Sequence, residues 1–488
     1  MSASTPPTFD RTRTHANATL VVLSLAALAY SMLSSAVVPA LPAIQHAIGA
    51  SETGIAWLLT GYLLSASVAT SILGRLGDMY GKERLLLVTL ILLIAGTLLA
   101  ALASSLWLLI LARVIQGAGG GIFPLAMGIV RDEFPAEKVA GSIGLLSALL
   151  GIGGGIGIVL AGVIIQHLDY HWLFWIPLIV LALSALLTWR FVPESPVRVP
   201  GTINWVAAGL MTAGITMALI AVSETTSWGW GSARTLGLLA AGLAVCAAWV
   251  VWEVRSREPL VDMEMMRVRG VWTTNLAAFL LGAGMYSSFI VIPQFVQLPR
   301  STGFGFGASV VLSGLYLLPS TATMFVMGML AGRISARYGS RFSLMTGAAV
   351  TAAAFAVLIV AHRAPIDFLV SAALLGLGIG LSFAALGTLI IGAVPPHQSG
   401  VASGMNTVMR TLGGALGGQL SATFLADHVA HGLPTVTGFE QTFVMATAFL
   451  VVCVLASLLV PPPHTTPSGS TPSGSAPAGE RGPEPVEA

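Results

Sequence analysis

The sequence predicts an all-α integral membrane protein of 14 transmembrane helices, arranged as two six-helix bundles plus a central helix pair. Three observations lead there: 55% hydrophobic residues against 9% charged ones, a succession of apolar windows each about as long as a bilayer is thick, and a marked sidedness of the cations. A soluble domain carries roughly 25% charged residues and covers itself with them. Twenty-two Lys and Arg with 20 Asp and Glu in 488 residues cannot do that. A net charge of +2 offers no field to nucleic acid, and no basic run with interleaved aromatics occurs, so nucleic-acid binding is excluded.

Residues 1–16 are polar and read as a cytoplasmic N-terminal tail. The apolar run 17–38 has no A-x-A cleavage site behind it and reads as a retained span rather than a signal peptide. A span needs about twenty apolar residues, since the hydrocarbon core is about 30 Å thick and a helix rises about 1.5 Å per residue. Further windows fall at 54–73, 85–103, 106–128, 139–165 and 171–189, completing an N-terminal six-helix bundle over 17–191. Windows 204–223 and 235–252 form a central helix pair over 204–253. Windows 272–296, 307–331, 342–361, 367–391, 401–425 and 441–460 form a C-terminal six-helix bundle over 272–460. Only Arg113 and Arg410 lie well inside a window. With both termini cytoplasmic, 17 of the 22 cations fall in cytoplasmic segments and only Arg234, Arg300 and Arg363 in outer loops. Dropping one span would put the later cationic loops on the wrong side. Trp228 and Trp230, in an outer loop, read as an aromatic belt. Residues 462–488, rich in Pro, Ser, Thr and Gly with TPSGS doubled over Thr466 to Ser475, read as a disordered cytoplasmic tail.

The chain repeats itself. GRLGDMYGKER (Gly74 to Arg84) and GRISARYGSR (Gly332 to Arg341) share Gly-Arg and Tyr-Gly at an offset of 258, and Pro135, Gly144, Gly153, Gly154 and Gly157 match Pro395, Gly404, Gly413, Gly414 and Gly417 at an offset of 260. Duplicated helical bundles flanking a midplane site are a secondary-transporter architecture. The Gly74 to Arg84 segment resembles the signature between helices two and three of the major facilitator superfamily. LARVIQG (Leu111 to Gly117) resembles that superfamily's fourth-helix motif. With fourteen spans, the chain to about residue 460 resembles the fourteen-helix drug:proton antiporters, the multidrug efflux branch.

Each motif has a physical reading beside that resemblance. Gly74 and Gly81 allow a tight turn, and Arg75, Asp78, Lys82 and Arg84 can form charge-assisted pairs at the membrane surface. The resemblance makes this loop a gating latch centred on Asp78, with a static solvated turn as the other reading; Ala336 at the repeated position makes the latch one-sided. Arg113 must face a partner or water, because an Arg at membrane depth costs roughly 3 kcal/mol on insertion scales. Gln116 shares its helical face, and Gly117 lets a neighbouring helix approach. The resemblance implies proton coupling or its control for these three, against a purely structural Arg bonded to carbonyls. Arg410 has two readings, mid-membrane charge or snorkelling side chain. Gly153, Gly157 and Gly162 match the antiporter-type glycine helix, which departs from the pattern at Ile158 and Ala161.

The branch often carries an Asp in the first helix before an ALP triplet; here Ala40-Leu41-Pro42 is present but the aligned residue is Leu33. None of the 20 acids falls at the centre of a span. The nearest stand-ins are Glu224, Asp132 and Glu133, each equally an ordinary interface or loop charge, so proton coupling rests on the resemblance. Tyr30, Tyr62, Asn275, Tyr286, Asn406 and Arg410 are candidates to line a central cavity, each alternatively a helix-helix hydrogen bond. Cys246 and Cys453 sit in apolar runs as packing residues, and no HExxH or other metal spacing occurs among nine His. No catalytic residue, metal or cofactor is called for.

These readings imply a secondary active transporter, not an enzyme, exporting amphipathic organic compounds or drugs in exchange for protons by alternating access. Its partners would be a small amphipathic substrate, protons and the lipid bilayer of the cell membrane. Oligomeric state is left open, and a monomer suffices. The lack of an ATP-binding motif excludes a self-contained primary pump. One alternative is a narrow-substrate exporter of a metabolite or lipid, neutral or anionic and facing Arg113 and Arg410. Another, of a different class, is a non-transporting membrane sensor or membrane enzyme.

Overall fold

The computed structural model describes residues 16–50, 52–194, 204–430 and 432–461. The expected C-terminal tail 462–488 lies outside the described residues, and so does the expected N-terminal tail except Ala16, which opens the first helix. Backbone polar groups in lipid must be satisfied within the segment, so each apolar run closes into a helix. The long helices are α1 (Ala16–Ile48), α2 (Glu52–Tyr80), α3 (Lys82–Ala101), α4 (Leu106–Gln116), α5 (Ile122–Glu133), α6 (Ala136–His167), α7 (Trp172–Phe191), α8 (Trp205–Ser223), α9 (Ala233–Arg255), α10 (Arg269–Gln297), α11 (Leu318–Tyr338), α12 (Ser340–Val360), α13 (Pro365–Gly392), α14 (Ser399–Asp427) and α15 (Val436–Ser457).

Thirteen spans among the described residues are long and apolar enough to cross a membrane, with α4 and α5 counted as one, Leu106–Glu133. The remaining window of the expected fourteen corresponds to α14, which is 29 residues long but falls below that apolarity. Its polar and small residues explain this: Asn406, Arg410 and Gln419 stand among Gly404, Gly413, Gly414, Gly417 and Gly418. Between α4 and α5 the helix tightens to a 3₁₀ stretch, Gly117–Gly121, which the sequence reading had continuous. Neighbours force the glycines: a Cβ at Gly117 would stand 2.5 Å from the Ser65 side chain, and one at Gly119 would stand 2.6 Å from the Tyr30 ring.

The expected loop Gly74 to Arg84 is almost entirely helical. Only Gly81 separates α2 from α3, at φ 110°, and only Gly339 separates α11 from α12, at φ 89°. Both are in the backbone region open mainly to glycine, so the repeated Tyr-Gly dipeptides make the same one-residue turn in the two halves. The repeated glycines of α6 and α14 also do one job twice. Side chains at Gly153 and Gly157 would collide with Leu28 O and Met32 O of α1, and side chains at Gly413 and Gly417 with Phe279 O and Ala283 O of α10. Helix pairs thus meet backbone to backbone.

The two halves touch through two helix pairs related by the same repeat. Gly74 of α2 abuts Gly400 of α14, while Gly332 of α11 abuts Gly141 of α6. The α6–α11 contact continues through Gly144 against Gly328, Gly151 against Met324 and Gly155 against Thr321. Two large apolar cores result. One is drawn mainly from α1–α7 and includes Leu23, Leu86 and Phe174; the other is drawn from α10–α15 around Phe295, which packs on Phe304, Phe306, Phe368 and Phe439. The pair α8 and α9 packs on itself through Gly214 and Gly242 and leans on α2 and α14. Trp230 does more than sit in a belt, because its Nε1 donates to Thr423 Oγ1 of α14 at 2.8 Å.

Gly157→Ala and Gly417→Ala should each destabilise the fold by about 1–3 kcal/mol through overpacking, whereas Gly237→Ala, with nothing within reach of its Cβ, should be neutral. Thermal unfolding of purified variants checks this; equal unfolding temperatures for all three would contradict the close approaches.

Candidate functional site between the two halves

The face carrying Gly81 is closed by an interaction that reaches across the halves. Asp78, near the end of α2, is 1% exposed, and its Oδ2 accepts from Gly400 N at 3.1 Å and Val401 N at 3.3 Å. These are first-turn donors of α14, which have no partner within their own helix, and the positive end of the helix dipole favours a carboxylate there. Asp78 thus caps a helix of the opposite half. Lys82, fully buried, stands 3.6 Å from Asp78 Oδ1 and donates to Asp132 Oδ2 at 2.5 Å, while Arg84 pairs with Glu194 at 3.1 Å. Arg131 adds a second crossing: its Nη2 donates to Val394 O at 2.9 Å. The repeated position in the second half, Ala336, is exposed and offers no such acceptor.

A strap from the central pair joins this face. Glu253, 2% exposed near the end of α9, accepts from Trp249 Nε1 at 3.0 Å, Leu260 N at 2.9 Å and Val261 N at 3.1 Å. Asp262 then caps the short helix Met263–Arg267 through Glu264 N at 2.8 Å and accepts from Gln398 Nε2 at 3.0 Å, two residues before Gly400. A cavity of about 170 Å³ lies here, bounded by Arg75, Leu260, Asp262, Met265, His397 and Gln398. Sequence reasoning passed over Glu253 as the end of a window. The signal available was an acid at the close of an apolar run, four residues after a Trp.

Arg113 is fully buried in α4. Its Nη1 donates to Gln116 Oε1 at 2.8 Å and its Nε to Leu58 O at 3.3 Å, and the guanidinium stands 4.1 Å from the Tyr62 ring centroid. Gln116 Nε2 donates onward to Thr97 Oγ1 at 3.2 Å. Arg113 thus has a side-chain partner and a carbonyl contact of the structural kind, and among the described residues its Nη2 has no hydrogen-bond partner. Arg410 stands eleven residues beyond Ser399, about 16 Å along α14, and is partly buried. Its guanidinium lies 4.4 Å from the Phe383 ring centroid. Tyr30 and Tyr62 are within electrostatic reach of Arg113, and Tyr30 and Tyr286 of Arg410.

Two cavity candidates do other work. Asn406 Nδ2 donates to Asn275 Oδ1 at 3.0 Å, both amides being buried, so Asn275 and Asn406 join α10 to α14 instead of facing a lumen. Gly153 and Gly157 seat α6 on α1, while Gly162 meets Val311 at the start of the α11 span. Glu224 is a turn residue that accepts from Ser227 Oγ at 2.6 Å. Asp132 neutralises Lys82, and among the described residues no His, Cys, Asp and Glu group could hold a metal ion.

Repeated helical halves meeting along glycine seams, with buried polar groups between them, define a membrane transporter. Residues 23–418 match the Major Facilitator Superfamily, and the chain belongs to that superfamily. It is similar to the tetracenomycin C resistance and export protein of Streptomyces glaucescens, 27% identical over 85% of this chain and 77% of that one. It is also similar to the multidrug transporter protein MdtP of Bacillus subtilis, 28% identical over 81% of this chain and 73% of that one. Among solved structures, the proton:xylose symporter XylE shares the fold at a TM-score of 0.66 and 14% identity, over 92% of this chain and 97% of that one.

Two outcomes follow. Losing the cap in Asp78→Ala should weaken closure of this face by about 1–2 kcal/mol, so that a cysteine placed at Val401 in a Cys246→Ala/Cys453→Ala background reacts with a soluble maleimide roughly tenfold faster. An unchanged rate would show that the cap does not hold the face. Glu253→Ala leaves two buried N–H groups unpaired and should loosen the 256–262 strap; trypsin cleavage after Arg257 then accelerates at least about tenfold, where a merely surface-bound glutamate would change nothing.

Proposed function

We propose that this transporter exports amphipathic organic compounds in exchange for protons by alternating access. The observation that carries the reading is the repeat-related pair of seams, α2 on α14 and α6 on α11, of which only the first bears a charged cap. Paired seams of this kind let two bundles rock about a fixed centre, and a cap on one face makes one closed state separable from the other. Export as the direction, and drugs or antibiotics as the cargo, are supported by what the two relatives are named for. The bundles are 17–191 and 272–460, and 204–253 is the pair whose Glu253 strap ties into the capped face. With α14 counted as a span there are fourteen, so in this reading both termini share one side of the membrane, the cytoplasmic one, together with the Asp78 face. The cation sidedness supports that orientation.

Asp78, Lys82, Arg75 and Arg84 serve as the gate in this reading. Arg113, Gln116 and Gly117 serve proton coupling or its control, with Arg113 held in place through Gln116 and Thr97. Gly153 and Gly157 serve to hold α6 on α1 within the first half, and Gly162 serves the seam to the second half against Val311.

Expressed in an efflux-deficient bacterial host, the chain should protect growth against a subset of lipophilic cations, neutral antibiotics and acidic antibiotics, and Arg113→Ala should abolish protection at equal membrane abundance. In everted vesicles, addition of a protected compound should release a preset proton gradient. No protection by correctly inserted protein would sink export, and efflux indifferent to collapse of the gradient would sink proton exchange.

A further inference from the structure

Arg113 is fully buried in the first half and Arg410 partly buried in the second, and among the described residues neither meets an opposite charge. Among the described residues, Arg113 and Arg410 form no ion pair, and Arg410 makes no hydrogen bond. A guanidinium carries five N–H donors in a fork that fits an oxyanion. Arg113 uses its fork on Leu58 O and Gln116 Oε1 and leaves Nη2 buried and unpartnered. The Tyr62 hydroxyl beside it is within reach of Tyr30 and Ser34. Buried polar atoms of this kind are normally satisfied, and an unsatisfied guanidinium donor on an uncompensated charge marks a place where a partner belongs.

The surroundings state what partner. Tyr30 lies within electrostatic reach of both Arg113 and Arg410, and the rings of Tyr62 and Phe383 lie under the two guanidinium groups at 4.1 and 4.4 Å. Tyr286 completes the set, seated on Gly414 as Tyr30 is seated on Gly119. Aromatic faces beside guanidinium forks accommodate a flat apolar body and its acidic group together. An acid in the protein would have neutralised this region and suited a cationic cargo. The first helix carries Leu33 instead, fully within the core.

We propose that Arg113 and Arg410, together with Tyr30, Tyr62 and Tyr286, form an anion site that receives the acidic group of an amphipathic aromatic substrate. The inference rests on the transport reading and narrows its cargo to organic anions. Because one arginine comes from each half, a bound anion bridges the two bundles and its presence biases their relative position.

The test uses two dyes of one tricyclic skeleton, anionic fluorescein and cationic rhodamine 123, titrated by fluorescence anisotropy into the purified full chain. Fluorescein should bind at least about tenfold more tightly than rhodamine 123, and Arg410→Gln should weaken fluorescein about tenfold while Arg410→Lys keeps it within about threefold. Matching unfolding temperatures show that both variants are folded. Rhodamine 123 binding as tightly as fluorescein, or fluorescein affinity within about twofold of wild type in Arg410→Gln, overturns the site. Transport in everted vesicles separates the two claims. Export of rhodamine 123 without binding or export of fluorescein removes the anion site and leaves export standing. Arg410-dependent binding of fluorescein with export of neither dye keeps the anion site and removes the export reading.

Discussion

A carboxylate of one half capping a helix of the other is the contact on which the closed face depends. Asp78 satisfies Gly400 N and Val401 N, donors that α14 cannot satisfy itself, and it does so where the dipole of a 29-residue helix is most positive. A surface ion pair at the same place would be worth little after screening. Burial makes the difference: Asp78 and Lys82 are almost wholly sequestered, so opening the face exposes a charge cluster to water and leaves a helix end uncapped in one step. Two stable arrangements with a cooperative switch between them follow from that arrangement more readily than from any gradual sliding of apolar surfaces.

The glycine seams supply the complementary property. At Gly74 against Gly400 and Gly332 against Gly141 the halves meet through backbone, so few interlocking side chains resist a change of angle. Within each half the same residue type acts differently, since Gly153 and Gly157 press α6 onto α1 as Gly413 and Gly417 press α14 onto α10. Rigid halves with a smooth seam between them are what a rocking-bundle transporter requires. The Glu253 strap stands outside this symmetry. It ties the central pair through Leu260, Val261, Asp262 and Gln398 to the residues just before the cap, so the pair is joined to the switching face rather than merely filling space.

Much of this was legible in the chain itself. Apolar length locates helices because lipid leaves the backbone no alternative, and the offsets of 258 and 260 announced equivalent packing before any coordinates. That Arg113 and Gln116 share a helical face followed from their three-residue spacing; that they bond to each other is seen only in the structure. What was hidden depends on contacts between distant segments. Nothing local says that Asp78 would seek backbone N–H groups more than 320 residues away instead of Lys82 alone, or that Asn275 and Asn406 would satisfy each other. Glu253 was hidden for another reason: an acid at the end of an apolar window is usually solvated, and only the return of the linker buries it. The Gly74 to Arg84 segment was taken for a loop because it is polar, yet polarity at a helix end within a tight bundle is compatible with helix right up to Gly81.

Charge placement explains why the two halves, alike in packing, are unlike in chemistry. The first half holds the cap, the Lys82–Asp132 pair and Arg131, all at one face, while the second half has Ala336 where Asp78 would be. A symmetric pair of caps would stabilise the capped face twice over and leave its counterpart less populated still, since a population shift from one part in a hundred to its reverse needs about 5.5 kcal/mol of differential binding. A single cap, worth roughly 1–2 kcal/mol, keeps both faces within reach of what a bound ligand can shift. Arg113 and Arg410 work in the same economy of charge. Each half contributes one, neither is neutralised by its own half, and the energetic cost of holding them apart from any anion is lowest when something from outside comes between them.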